Sequence, residues 1–308
     1  MRLIFLFFFI FFVKICYSET FEKGVEAFQT GDFEVAEKIF KPLAENGNAA
    51  AQHAMGVLFE KYENPESSKQ AAFWYEFAVS QGYLASNLNL GLMYFYGTLP
   101  QDYQKSYELF IPAAEKGFSS AQEHLGSQYL HGVGVEKNYS KAFKWLKLAA
   151  ESGRPGAQGY LGYMYMQGLG TDKNIPLAVK WLKPAAEAGF DMFQHNYAVI
   201  LEDKWTKFYD PEESVYWYKK AAEQKFESSI LNLGLMYSKG IGVKQNFKIA
   251  LMWFTIASEL GLEDLAEINI DNVINKMSIN TDEDFQKLQN EVFEMINLCV
   301  DKNFSNCP

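Results

Sequence analysis

The sequence predicts an all-α protein, an α-solenoid of stacked antiparallel helix pairs, because three kinds of residue recur with one period of 35 or 36 residues. Periods of this length are typical of solenoids, whose units are too small to bury an apolar face alone and therefore stack on their neighbours. The three series are Gly56, Gly91, Gly126, Gly162, Ala198 and Gly234; Trp74, Leu109, Trp145, Trp181, Trp217 and Trp253; and Gly47, Gly82, Gly117, Gly153, Gly189, Lys225 and Gly261.

Residues 1–18 differ from the rest of the chain. Arg2 precedes an apolar run that reaches Val13 and ends at Lys14. This pattern predicts a cleaved signal peptide, since the run is shorter than the ~20 apolar residues of a membrane span. We therefore expect a secreted or periplasmic protein, or an ER-luminal or extracellular one in a eukaryote, with no integral membrane span in the mature chain. An uncleaved anchor is the alternative.

Charge and cysteine content limit which binding partners and which cellular compartment are expected. The formal net charge is -10, and no basic stripe that would bind phosphates is present, so nucleic acid is not an expected partner. Of the three cysteines, Cys16 lies in the signal segment, whereas Cys299 and Cys307 lie close together near the C-terminus. In an oxidising compartment they would form a disulfide that pins the tail; two unpaired thiols are the alternative.

Each unit begins with a predicted helix in which Leu125, Gly126 and Tyr129, or their equivalents, share one face. Glycine inside a helix costs ~1 kcal/mol relative to alanine, so its recurrence predicts close approach of the paired helix. The second helix follows an N-cap residue, packs its tryptophan inward and ends at the recurring glycine. The predicted N-caps are Asn138, Asn174, Asp210 and Asn246.

About seven such pairs fill residues 19–264, and the period ends there. In the remaining segment, 265–308, Thr281 and Asp284 predict a capping box before an amphipathic helix. Because the terminal apolar face of a solenoid needs an atypical cover, we expect 265–308 to form C-terminal capping helices and a tail.

Beyond the period itself, one unit carries nearly the whole pattern of a known family. The pattern is met by Ala157-Gln158, Leu161-Gly162, Met164-Tyr165, Gly168-Leu169-Gly170, Ala178, Trp181 and Ala185-Ala186-Glu187-Ala188-Gly189. These residues resemble the Sel-one-like repeat (SLR) family, relatives of the tetratricopeptide repeat, over about Phe21 to Gly261. The resemblance implies a tetratricopeptide-like right-handed superhelix that binds proteins or peptides.

Two units depart from this pattern in the loop between their helices. The Gly-x-Gly loop is absent after Gly56 and after Ala198, where residues 61–64 and 203–208 replace it. Trp205 lies in the second of these loops and is a possible anchor for a partner. The alternatives are that Trp205 packs against the unit of Trp217 or that it mediates self-association.

The sequence contains no motif for a nucleophilic, metal or phosphate site, so we predict no catalytic residue, no metal ligand and no cofactor. The histidines, at positions 53, 124, 131 and 195, lack metal-site spacing, and we interpret them as surface or groove residues. The recurring Gly-x-Gly loops follow helices and have no βαβ context, so they are interpreted as turns.

The face of the first helices is the predicted binding surface. Positions three before, one after and four after the recurring glycine form one stripe, which also includes Val199 and Glu202. In tetratricopeptide-like grooves the corresponding positions face the ligand, so the resemblance implies a peptide or protein ligand here. The alternative is that several of them pack against the adjacent pair. The predicted groove residues are Leu88, Leu92, Phe95, Tyr96, Glu123, Leu130, His131, Tyr163, Met166 and His195.

We therefore predict a non-catalytic interaction scaffold or adaptor. The resemblance implies an envelope or host-interaction role in a bacterium and a secretory-pathway adaptor in a eukaryote. Asn138 and Asn303 begin N-glycosylation sequons that matter only in a eukaryote. The alternative function is a cell-wall or β-lactam hydrolase, as in cysteine-rich members of the family, although this chain has no cysteine pairs in its repeats. The oligomeric state is not predicted.

Overall fold

The computed structural model of the chain describes residues 19–62, 64–277, 279, 281–301, 304 and 307. The predicted signal segment, 1–18, and the sequon residue Asn303 lie outside the described residues. Within them every regular element is a helix, as the sequence predicts. None of these helices combines the length and the apolarity that crossing a bilayer requires.

The helices follow one another with short connections. Residues 19–29 are helical and are labelled α1. The others are α2 (Phe33–Glu45), α3 (Ala49–Glu60), α4 (Pro65–Ser80), α5 (Leu84–Tyr96), α6 (Tyr103–Glu115), α7 (Ser119–His131), α8 (Tyr139–Glu151), α9 (Pro155–Gln167), α10 (Ile175–Glu187), α11 (Asp191–Glu202), α12 (Pro211–Ala222), α13 (Glu227–Lys239), α14 (Phe247–Glu259), α15 (Glu263–Lys276) and α16 (Asp282–Asp301).

The chain divides into two compact units, one ending at Leu148 and the other beginning at Ala149. In the N-terminal unit, α3 packs against α4, α5 packs against α6, and each pair contacts the next. The C-terminal unit repeats this arrangement with α9 and α10, α11 and α12, and α13 and α14. Stacked helix pairs are the architecture that the period predicts.

Side-chain caps fix where the second helices begin. The side chains of Asn138, Asn174, Asp210 and Asn246 accept hydrogen bonds of 3.0–3.1 Å from the backbone N–H three residues later. These four caps are therefore confirmed. They satisfy N–H groups that the first turn of a helix leaves unpaired.

The recurring position after each second helix requires a left-handed backbone. Gly47, Gly82, Gly189 and their equivalents have positive φ, and Lys225 adopts the same conformation at φ 64°. Glycine accepts this conformation without a Cβ clash, which explains why the series is glycine elsewhere.

A glutamine joins consecutive pairs. The side chain of Gln52 on α3 donates to the carbonyl of Ala44 on α2, at 3.1 Å. Gln122 bonds to Ala114 at 3.0 Å in the same way, and Gln194 bonds to Ala186 at 3.2 Å. Each of these carbonyls also accepts from the backbone N–H three residues later, at 2.9–3.0 Å. The glutamine thus adds a second hydrogen bond to the last turn of the preceding helix.

The recurring glycine inside each first helix lies against a large side chain of its paired helix. A Cβ on Gly91 would come within 2.7 Å of Phe110, and one on Gly126 would come within 2.6 Å of Leu146. Gly56 faces Tyr75 in the same manner. The predicted close approach is confirmed, and these large residues form the buried centre of the pairs.

The two C-terminal helices cover the last pair. Both α15 and α16 contact α14, and α16 buries one stripe of side chains that includes Leu288, Val292 and Ile296. Thr281 caps the start of α16 through the backbone N–H of Asp284 at 3.1 Å. These contacts cover the apolar surface of α14, whose interior residues are almost all buried.

Candidate binding clefts

The predicted groove residues fall into three classes of exposure. Tyr96 is 65% exposed and His131 is exposed, whereas Leu88, Leu92, Phe95, Glu123, Tyr163 and His195 are half-buried. Leu130 and Met166 are only 4% and 8% exposed, so the structure corrects their assignment to a ligand-facing surface. At their repeat position an apolar side chain packs into the core, because burial stabilises it more than contact with water does. For the others, ligand binding stays a prediction.

Two of the histidines are engaged inside the helix stack. The Nδ1 of His195 and the Oγ of Ser229 share a hydrogen bond at 2.9 Å, and the imidazole packs against Tyr218 and Phe226. His53 makes the same hydrogen bond to Ser86 at 2.9 Å. Burial lowers the pKa of His195 to about 4. These two rings therefore have structural partners inside the stack, and ligand contact by His195 stays a prediction.

His124 belongs to an aromatic cluster on the predicted face. Its ring stacks on Phe110 at 5.3 Å and also contacts Phe95 and Tyr96. Phe95, Tyr96 and His124 therefore form a continuous aromatic surface on α5 and α7.

The first cleft lies in the N-terminal unit and has a volume of about 580 Å³. First helices supply most of its wall, with Glu60 from α3 and four residues from α5, and the rest comes from the start of α4 and two loops. The lining residues are Glu60, Asn64, Pro65, Ser68, Asn89, Leu92, Met93, Tyr96 and Thr98. The predicted groove residues Leu92 and Tyr96 are among them.

A buried tyrosine organises the polar end of this cleft. Tyr75 is 0% exposed, and its hydroxyl accepts from the Nδ2 of Asn89 at 2.9 Å. The same hydroxyl neighbours the carboxylate of Glu60. Desolvation raises the pKa of Glu60, and this effect is opposed by the hydroxyl of Tyr75 and by the charge of Lys61. The carboxylate thus lies in the cleft wall beside a buried tyrosine.

The second cleft lies in the C-terminal unit and has a volume of about 530 Å³. The hydroxyl of Tyr218 again neighbours a glutamate, Glu202, and accepts from Asn232 at 2.9 Å. Desolvation raises the pKa of Glu202, while Lys239 lowers it. The lining residues are Val199, Glu202, Asp203, Lys204, Trp205, Asn232, Leu235, Met236, Lys239 and Ile241.

The two clefts are built from the same repeat positions. Their glutamate, tyrosine and asparagine, and the histidine and serine beside them, recur 142 or 143 residues apart, which is four repeats. The glutamate position holds Phe95, Leu130, Met166 and Ser238 in the other pairs. Both pairs that carry the glutamate also lack the glycine that begins the loop in the other four pairs, at positions 97, 132, 168 and 240. This coincidence is the sequence signal that would have identified the clefts.

Trp205 projects from the loop that replaces Gly-x-Gly after α11. It is 85% exposed, so it does not pack against the unit of Trp217, which was one interpretation of the sequence. The Nζ of Lys204 lies 5.0 Å from the centre of its ring. The indole forms part of the wall of the second cleft.

Two further features bear on catalysis. Ser86 and Ser229, which bond to the histidines, are 0% exposed, so their hydroxyls are closed to a substrate in this structure. Within the described part of the chain, no group of three or more His, Cys, Asp or Glu residues has the geometry to hold a metal ion.

A sequence model of the Sel1 repeat matches the chain at residues 49–83, 84–118, 119–153, 155–190, 194–226 and 228–262. Each match covers one helix pair, from α3 and α4 to α13 and α14.

The chain is also similar to solved structures. A Sel1 repeat protein from Oxalobacter formigenes gives a TM-score of 0.64 and 28% identity, over 77% of this chain and 96% of that one. A protective antigen of uropathogenic Escherichia coli with an SLR fold gives 0.55 and 24% identity, over 94% of this chain and 78% of that one.

Proposed function

The chain belongs to the Sel1 repeat family, and on that premise we propose that it is a non-catalytic interaction scaffold that binds a protein or peptide ligand on its first helices. Stacked helix pairs within each unit offer a preformed surface, and preformed surfaces lose little conformational entropy when they bind.

The observation that carries this proposal is the position of the two clefts. Both are walled mainly by first helices, α3 and α5 in one unit and α11 and α13 in the other. Each is lined by apolar side chains and a few polar groups, which is the usual composition of a binding pocket. The exposed aromatic side chains of Tyr96 and Trp205 border them and are typical anchors for a protein ligand.

The proposal also includes export of the protein from the cytoplasm. The signal-like segment, 1–18, and the cysteine pair near the C-terminus favour a secreted or periplasmic location, or the secretory pathway of a eukaryote. In a bacterium the scaffold would then act in the envelope or at a host cell. Fractionation of source cells, with the mass of the mature chain, tests this part.

The binding proposal is tested with a displayed library of random peptides panned on the purified chain. We expect enrichment of related sequences, and synthetic copies of them should bind with a measurable Kd by calorimetry. Tyr96→Glu and Trp205→Ala should each weaken binding at their own cleft. Tyr216→Glu is the matched control, because Tyr216 is also exposed, at 52%, but lies on the second helix α12.

A library that yields no enriched sequence, or peptides that bind all three variants equally, would place the function elsewhere. The same preparation should show no turnover of a chromogenic β-lactam; turnover would favour the hydrolase alternative.

A further inference from the structure

The two clefts share a chemistry that specifies what enters them. Each presents a glutamate carboxylate beside a buried tyrosine, an asparagine on the next first helix, and an apolar lining of leucine and methionine, which we call its floor. Resting on the proposed function, we infer that each cleft receives the basic side chain, arginine or lysine, of a bound protein segment.

The floor suits the aliphatic part of such a side chain. In the first cleft Leu92 and Met93 line the wall together with Asn89, all from α5, and in the second Leu235 and Met236 occupy the same repeat positions. Arginine and lysine lay their methylene stems along apolar surface while the charged head reaches polar groups. A purely anionic or small polar ligand would leave this floor uncovered.

The carboxylate suits the charged head. Glu60 and Glu202 lie in the cleft walls, beside the fully buried Tyr75 and Tyr218. A guanidinium or ammonium group that enters the cleft can bond to this carboxylate, and such charge-assisted hydrogen bonds are stronger than neutral ones. In the first cleft the ring of Tyr96 adds a face for a cation–π contact.

Charge separates the two clefts. Among the described residues that line the first cleft, Glu60 alone carries a formal charge. The second cleft contains Glu202 and Asp203 but also Lys204 and Lys239. We therefore expect the first cleft to bind a cation more tightly than the second.

Recurrence is an independent observation that favours a site. The glutamate and the tyrosine occur together in both cleft pairs and in none of the other four, and the asparagine accompanies both. Asparagine also occurs once without them, as Asn196. A tolerated surface glutamate would not be expected to recur together with the same tyrosine. In the pair of α5 and α6 the three positions hold Phe95, Phe110 and His124, which pack as rings. In the cleft pairs, glutamate, tyrosine and asparagine thus occupy the three positions that rings occupy in the pair of α5 and α6.

Methionine methyl groups provide the test, because Met93 and Met236 line the two clefts. The purified chain carrying ¹³C-methyl methionine is titrated with Nα-acetyl-arginine amide and, separately, with Nα-acetyl-citrulline amide, its neutral isostere. We expect saturable shifts of Met93 and Met236 with the arginine probe, tighter at Met93, and binding of the citrulline probe weaker by about fivefold or more. Met252, which is fully buried on α14, should not respond.

Glu60→Gln and Glu202→Gln serve as matched controls for each other. Glutamine keeps the acceptor for tyrosine and removes only the charge. Glu60→Gln should weaken the response at Met93 by about fivefold or more and leave that at Met236 unchanged. Glu202→Gln should weaken the response at Met236 and leave that at Met93 unchanged.

Equal responses to the two probes, no saturable shift, or variants that bind arginine as the parent does would each overturn the inference. If the panned peptides nevertheless bind the chain, the scaffold proposal stands and only the basic side chain is wrong. If the probes bind as expected but no peptide is enriched, the clefts bind a basic side chain and the scaffold proposal is wrong.

Discussion

Gly91 lies directly under the ring of Phe110, so that a Cβ at position 91 would come within 2.7 Å of the Cε1 of that ring. Phe110 is fully buried and stacks on His124 at 5.3 Å, so it has little room to move. We expect Gly91→Ala to lower the free energy of unfolding by about 1–2 kcal/mol, because overpacking outweighs the ~1 kcal/mol that alanine gains in a helix. Urea unfolding followed by circular dichroism measures this change in the free energy of unfolding.

The double variant Gly91→Ala, Phe110→Ala separates this cause from a general helix effect. Phe110→Ala alone leaves a cavity, and the added methyl group fills part of it, so the two effects should be less than additive. Strict additivity would show that the ring of Phe110 is not what excludes a Cβ.

Tyr218→Phe tests the network at the second cleft. Phenylalanine fits the space, since Phe110 and Phe254 occupy the equivalent position in other pairs. Without the hydroxyl, Asn232 loses its hydrogen bond of 2.9 Å, and we expect a loss of about 1 kcal/mol in the free energy of unfolding. The pKa of Glu202 should also rise, since the neighbouring hydroxyl of Tyr218 lowers it. ¹³C chemical shifts of the carboxyl follow that change; an unmoved pKa would argue against an interaction between the two side chains.

The C-terminal unit should become less stable in acid, because His195 is protonated more readily in the unfolded chain than in the folded one. Burial lowers its pKa to about 4 from the ordinary 6.5, so the unfolded chain binds the proton more tightly. The stability that neutral His195 contributes is therefore present above pH 6.5 and is lost as the pH falls toward 4, by about 3 kcal/mol. Glu202, whose pKa is raised, acts with the opposite sign and reduces the net slope.

His195→Gln checks the assignment, because glutamine still bonds to Ser229 but does not titrate. Its free energy of unfolding should decline less steeply between pH 7 and pH 4 than that of the parent. Identical acid limbs in denaturant titrations at each pH would rule out His195 as the cause.

Lys225→Gly should stabilise the protein. Lys225 has a φ of 64°, whereas glycine fills this position in the other units. Relief of the left-handed strain exceeds the added freedom of the unfolded chain, and we expect a gain of about 0.5–1 kcal/mol. Gly189→Lys, the reverse change at the same repeat position, should destabilise by a similar amount in thermal unfolding.

The tail should depend on the disulfide that joins Cys299 and Cys307. Both cysteines are buried, and the Nζ of Lys219 donates to the carbonyl of Cys307 at 3.4 Å. The bond closes a short loop, so Cys307→Ser should lower the free energy of unfolding by at most about 2–3 kcal/mol. Reductant should lower the Tm of the parent but not that of the variant, and alkylation with mass analysis should count two protected thiols in the parent.

The sequence predicts most of the fold because each element leaves a local signal. The N-caps, the interior glycines and the helix ends are set by residues within a few positions of one another, and the period repeats each signal. Leu130 and Met166 are exceptions, since the helical stripe alone does not show whether the next pair covers it.

The clefts depend on residues that come together only in three dimensions. Glu60, Tyr75 and Asn89 lie on three successive helices, and each taken alone is an unremarkable surface, core or helix residue. Their connection becomes visible only when the tyrosine hydroxyl is seen to reach both neighbours. Comparison of the two loop-altered pairs with the four regular ones would have indicated it.

The glutamine that reaches back to the preceding helix limits how this chain can change its length. The bond from Gln52 to Ala44, or from Gln194 to Ala186, spans eight residues, so an insertion or deletion inside that span breaks the junction. Removal of the repeat 122–157 would bring Gln158 to the carbonyl of Ala114, whereas the junctions at Asn87 and Ile230 have no glutamine. Such proteins are therefore expected to vary in evolution by gaining or losing entire repeats, and a ligand surface can be extended without redesigning a glutamine junction.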